Sequence, residues 1–162
     1  MQYLFMLLIV GLSIYLSLKR KGPDPLDQVN IWPYIKNPRP LSPEQINFYQ
    51  ALRRYIDRQL IICPQVALEK IVYVPDNARL KKSMKEKIRG HWVDFAICSP
   101  DLELICIAQL NIANDPSADF LPALQKIAKN AAVPLLVFES AYEYTPQMFS
   151  AINDLYHAGS YH

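Results

Sequence analysis

The stretch from His91 to Asn111, HWVDFAICSPDLELICIAQLN, constrains the fold more than any other part of the chain. Two runs within it, His91 to Cys98 and Glu103 to Leu110, are rich in Val, Ile, Leu, Phe and Trp, side chains that suit a pleated and largely buried surface. Between them Ser99, Pro100 and Asp101 supply turn chemistry, because Pro fixes φ and Ser and Asp bond their own backbone. The pattern predicts a β-hairpin. Two polar residues sit where a core strand favours apolar ones: Asp94, between Val93 and Phe95, and Gln109, between Ala108 and Leu110. An acid buried on a central strand costs on the order of several kcal/mol unless something pairs with it. Asp94 therefore has two accounts: an acid at a strand end, bonded to nearby backbone amides or a basic side chain, or a member of a site.

The chain has 162 residues, 51% of them apolar, enough for one core of moderate size. Ser42-Pro43-Glu44-Gln45 reads as a helix start, with Ser as N-cap, Pro at the first helical position and Gln at the capping-box position. Phe48, Tyr49, Leu52, Tyr55, Ile56 and Leu60 then recur at helical spacing. Ile61 to Val66 and Lys70 to Val74 read as short strands. After the hairpin, Asn111 to Ser117 reads as a loop, and Leu121, Leu124, Ile127, Ala128 and Ala131 give a helix one apolar face. Pro134 to Glu139 reads as a strand, and Pro146 opens a last amphipathic helix. A helix between the hairpin and the last strand makes a crossover, so an α/β domain with a mixed sheet and helices on both faces is expected.

The N-terminus differs in kind. Residues Tyr3 to Leu18 are uncharged and almost wholly apolar, and Lys19, Arg20 and Lys21 follow at once. Eighteen helical residues rise roughly 27 Å, enough for a thin hydrocarbon core. We read residues 1–21 as a single-pass transmembrane anchor with a basic stop, which leaves the domain on the cytoplasmic side of a bacterial inner membrane. Six prolines from Gly22 through Pro43, five of them within residues 22–42, make 22–42 a stiff, extended linker and leave 43–162 as the soluble domain.

Composition excludes several classes. The three cysteines, Cys63, Cys98 and Cys106, have no C-x-x-C spacing and read as reduced core residues, so neither a zinc site nor a disulfide framework is expected. The four glycines are too far apart for a phosphate-cradling loop. Charge is uneven: residues 1–89 carry fifteen Lys or Arg and seven acids, whereas 90–162 carry two Lys and eight acids. The segment RLKKSMKEKIR, with Arg79, Lys81, Lys82, Lys85, Lys87 and Arg89, reads as a solvated surface loop, with nucleic acid or an anionic membrane surface as the partners its charge would suit.

Five segments carry a family resemblance: LSPEQINFYQALRR, CPQVALEKIV, HWVDFAIC, CIAQLN and AAVPLLVF. In this order and at these intervals the chain resembles the bacterial domain-of-unknown-function family numbered 2726, over about residues 41–140. The resemblance implies a restriction-endonuclease-like, PD-(D/E)xK, three-layer domain around a central mixed sheet. In that superfamily acids on the two hairpin strands hold Mg²⁺, often helped by a first-helix Glu. Asp94 matches the first acid. The family's Ile-Glu-Leu-Asp, however, stands here as Ala108-Gln109-Leu110-Asn111, its first-helix Glu as Gln45, and its later His is replaced within Asn114-Asp115-Pro116. Amides keep shape and hydrogen bonding but lack the charge that draws Mg²⁺ out of water.

The expected function is a membrane-tethered pseudo-nuclease, with Asp94, Gln109, Asn111 and Gln45 as vestigial site positions and no cofactor. Its role would be binding or scaffolding, as a subunit of an inner-membrane secretion or conjugation complex. The alternative is an active Mg²⁺-dependent nuclease whose metal site is rebuilt from Asp94, Glu44, Glu103 or Asp115.

Overall fold

A computed structural model of the chain describes Met6, Val10, Leu12 and Tyr15 together with residues 35–113 and 119–159. The expected anchor therefore falls mostly outside the described residues, as do most of the linker and Asp115; among the described residues no helix is long and apolar enough to cross a membrane. The chain divides into two compact units after Pro38, and the second, Arg39–His162, holds the hairpin.

Helix α1, Pro43–Tyr55, starts where its sequence predicts. The N–H of Gln45 donates to Ser42 Oγ at 3.2 Å, and the N–H of Ser42 donates to Gln45 Oε1 at 3.0 Å, so two otherwise orphaned donors are satisfied reciprocally. At the other end Asn153 closes the helix, donating to the Tyr55 carbonyl and accepting from the Asp57 N–H. Strand β1, Ile61–Ala67, runs into a single helical turn, α2, Leu68–Ile71. A strand was expected over Lys70 to Val74; Leu68 and Val72 instead both bury, four residues apart, which is the spacing of one helix face.

Helix α3, Lys81–Ile88, replaces the solvated loop expected of the basic segment. Ile88 anchors it, buried with Leu68, Val72, Val93, Ile107 and Leu124. Strands β2, Trp92–Cys98, and β3, Leu104–Asn111, form the expected hairpin. Helix α4, Leu121–Asn130, crosses over to β4, Leu135–Glu139, and a 3-10 turn, Pro146–Phe149, leads into α5, Ser150–Gly159.

The four strands form one mixed sheet in the order β1-β2-β3-β4, with β1-β2 and β2-β3 antiparallel and β3-β4 parallel. Alternation along β3 and β4 sends side chains to opposite layers. Cys106, Ala108, Leu110 and Phe138 pack under α1 and α5, whereas Ile107 and Leu135 pack against α4 and the α2–α3 segment. Phe48 centres the first layer, its ring 5.0–5.7 Å from those of Phe95, Phe138, Tyr144 and Phe149. Such aromatic pairs contribute roughly 0.5–1.5 kcal/mol each beyond their buried area. This packing holds α1 across the sheet and brings its first turn to the hairpin.

Candidate functional site

Asp94 and Gln109 are 7% and 6% exposed, the buried polar residues of a core that is otherwise apolar among the described residues. Continuing the register that pairs Phe95 with Ala108 places them opposite each other on β2 and β3. Gln109 Nε2 donates to Asp94 Oδ2 at 2.6 Å, and the Asp94 N–H donates to Gln109 Oε1 at 3.2 Å. The Leu110 N–H also donates to Asp94 Oδ2, at 2.9 Å, so the carboxylate takes a donor on β3 itself. On the other side Gln45 Nε2 donates to Asp94 Oδ1 at 2.7 Å. Both glutamine orientations are fixed by what their other ends do: each Oε1 accepts a backbone N–H, leaving each NH₂ to face the acid. A continuous hydrogen-bonded path thus runs Ser42, Gln45, Asp94, Gln109.

Backbone amides were expected to hold Asp94 if it is a structural acid; one does, that of Leu110, and two side-chain amides join it, so an acceptor-only carboxylate meets three N–H donors in a buried setting. The structure unites Gln45, Asp94 and Gln109 and separates Asn111. Asn111 lies two residues further along the Gln109 face and donates to both carboxylate oxygens of Glu139, its register partner on β4, at 3.0 and 3.1 Å. The sequence reading did not include Glu139; the crossover places it there. Glu103 faces Ser99 across the hairpin turn, about five strand residues or roughly 17 Å from Asp94, and so lies outside its reach. Glu44 is exposed on α1, one position from Gln45.

Gln45, Asp94 and Gln109 border a cleft of about 370 Å³ that also takes in Gln65, His91, Trp92 and Phe120. Gln65 was not anticipated. It stands with φ 52° between the register pairs Pro64–Phe95 and Val66–Val93, an interruption of the ladder without a change of register, in an edge strand that its neighbour Pro64 could have signalled. His91 stacks on Phe120 with ring centroids 3.6 Å apart, closing the wall contributed by α4. A larger, more open hollow of about 520 Å³ lies against Arg39 to Pro43 and Ile46 and includes neither Asp94 nor Gln109.

The residues present do not fit Mg²⁺. That ion demands oxygen ligands at roughly 2.0–2.1 Å, several of them anionic, in octahedral array. Here amide nitrogens, which repel a cation, occupy the hydrogen-bonding positions of both Asp94 oxygens. Among the described residues no three of His, Cys, Asp and Glu converge as a metal site. Of the basic candidates, Lys81 pairs with Asp76, and Lys82, Lys85, Lys87 and Arg89 are exposed on or just after α3, with Arg79 exposed just before it.

Fold and site together define an α/β domain with a mixed four-stranded sheet, built around a buried acid held by amide side chains. The chain belongs to the family described as protein of unknown function, DUF2726, whose model matches residues 40–153. The match extends past the last strand into α5. Among curated proteins and among solved structures, comparison found no match.

Proposed function

We propose that this chain is a membrane-tethered domain of restriction-endonuclease-like descent that has lost cleavage and serves as a binding or scaffolding subunit. The observation that carries the reading is the pair of amides on Asp94: Gln45 and Gln109 stand where the resemblance implies carboxylates, and both turn N–H donors toward the remaining acid. The arrangement does the opposite of what metal catalysis requires, since it satisfies the carboxylate internally instead of leaving oxygens for a cation. The mixed sheet with helices on both faces, led by a helix that meets the hairpin, supports the three-layer nuclease-like assignment.

The apolar segment 3–18 followed by Lys19, Arg20 and Lys21 supports single-pass attachment with the domain in the cytoplasm, in a membrane assembly of the secretion or conjugation kind. Titration with Mg²⁺ and Mn²⁺, combined with a cleavage assay on DNA and RNA, tests the reading: neither tight binding nor metal-dependent cleavage is expected.

A further inference from the structure

A third glutamine stands beside Asp94. Strand β1 keeps its register on β2 across the interruption at residue 65, which sets Gln65 opposite Asp94 on one side as Gln109 is on the other. Gln45 and Gln109 are committed at both ends, since each Oε1 accepts a backbone N–H and each Nε2 donates to the acid. Gln65 is half-buried at the wall of the cleft and has no such commitment. Among the described residues its amide makes no hydrogen bond, and because no buried side-chain polar atom there lacks a partner, that amide opens to solvent. Its backbone is also held in the left-handed region, φ 52°, which is unfavourable for a residue with a Cβ. Strain of this kind persists where a site needs a side chain held in place.

The rest of the cleft selects what this amide can meet. Its volume, about 370 Å³, is at the small end for small-molecule sites. Among the described residues no Lys or Arg lines it and Asp94 does, so an anionic ligand would enter against a like charge with no cation to receive it. A primary amide sets a donor and an acceptor side by side, the pattern that a nucleobase edge complements. Trp92, 57% exposed, and Phe120, backed by its stack on His91, supply aromatic rings on which a flat ligand can lie. We propose that the cleft binds an uncharged nucleobase or nucleoside, stacked on Trp92 and hydrogen-bonded at its edge by Gln65. This is a different ligand chemistry from the phosphodiester that the family resemblance implies. The proposal rests on the reading of Asp94 as an acid held by amides without a metal.

The test uses the full chain with Trp32→Phe, which leaves Trp92 as its one tryptophan, in buffer with EDTA and separately with Mg²⁺. Adenosine, guanosine, cytidine and uridine are titrated beside their 5′-monophosphates and a single-stranded oligonucleotide. At least one nucleoside should quench Trp92 in EDTA, and its monophosphate should bind roughly fivefold more weakly. By calorimetry Gln65→Gly, whose glycine takes a positive φ without strain, should weaken that binding about fivefold, and Trp92→Leu about tenfold. Thermal unfolding checks that each variant is folded; should Gln65→Gly lose stability, Gln65→Asn keeps the backbone and shortens the amide. Tighter binding of a monophosphate or of the oligonucleotide than of every nucleoside overturns the proposal, as does affinity that both substitutions leave unchanged. Quenching that appears only when Mg²⁺ replaces EDTA overturns it together with the metal-free reading of Asp94. No quenching by any nucleoside at millimolar concentration in either buffer, with thermal unfolding unmoved by Mg²⁺, overturns the proposal alone and leaves that reading standing.

Discussion

Asp94 and Gln109 face each other across β2 and β3 and exchange two hydrogen bonds, one through the Asp94 backbone and one through its carboxylate. Each makes the other tolerable in the core. Gln109→Leu should cost about 3 kcal/mol, because it strips a donor from a buried charge. Asp94→Leu should cost less when Gln109 is already Leu than when it is present. A double-mutant cycle by urea denaturation should then give a coupling of roughly 1–3 kcal/mol. Additive effects would mean that the two residues are merely neighbours.

Gln45 joins the cap of α1 to the site, so its substitutions should separate the two roles. Gln45→Ala removes half of a capping box and a hydrogen bond to a charged group, a loss of about 2–3 kcal/mol. Gln45→Glu keeps an acceptor for the Ser42 N–H but sets a second carboxylate against Asp94 Oδ1. Its destabilisation should be larger at pH 7 than at pH 5, because a proton shared between two close carboxyl groups relieves their repulsion. Equal loss at both pH values would show that the new group turns to solvent.

The cysteines give a pH dependence in the alkaline range. Burial, with Cys63 alongside, pushes the Cys98 thiol up to about 11, and burial, with Cys98 adding to it, pushes that of Cys106 up to about 12. Each holds its proton more tightly folded than unfolded, where release centres near 9.0. The stability this represents is complete below pH 9 and drains away as pH rises through 11 to 12. Thiol labelling of the native protein at pH 8 should reach half-buried Cys63 first, with Cys98 and Cys106 reacting on unfolding. Rapid native labelling of all three would contradict the burial.

How much of this was legible in the sequence depended on the range of the interaction involved. The hairpin and the Ser42–Gln45 capping box follow from residues close in sequence, where turn chemistry and β-branched runs decide the structure. The contact between Gln45 and Asp94 spans 49 residues and needs the aromatic layer around Phe48 to exist, so spacing could not reveal it. Gln45 reads both as a capping residue and, through the resemblance, as a vestigial site position; one side chain serves both ends. Glu139 escaped notice because only parallel pairing of β3 with β4 sets it beside Asn111. Helix α3 was masked by its own polarity, since a single buried residue, Ile88, fixes it, and the turn at Leu68 to Ile71 was lost in an apolar run whose period is ambiguous over five residues.

The central claim is that amides have taken the place of a metal at Asp94, and restoring charge tests it most directly. Gln109→Glu with Asn111→Asp would set one carboxylate directly against Asp94 and, two residues along the same face, another beside Glu139, replacing donors by acceptors. Thermal unfolding of the unmodified chain should be indifferent to Mg²⁺ and Mn²⁺. The double variant should be less stable without metal and recover with it, by about 2.7 kcal/mol when the ion is at a hundredfold excess over its Kd. If the unmodified protein is stabilised by either ion at micromolar concentration, or cleaves nucleic acid in a way that Asp94→Asn abolishes, the amides are not a substitute for the metal and the account is wrong.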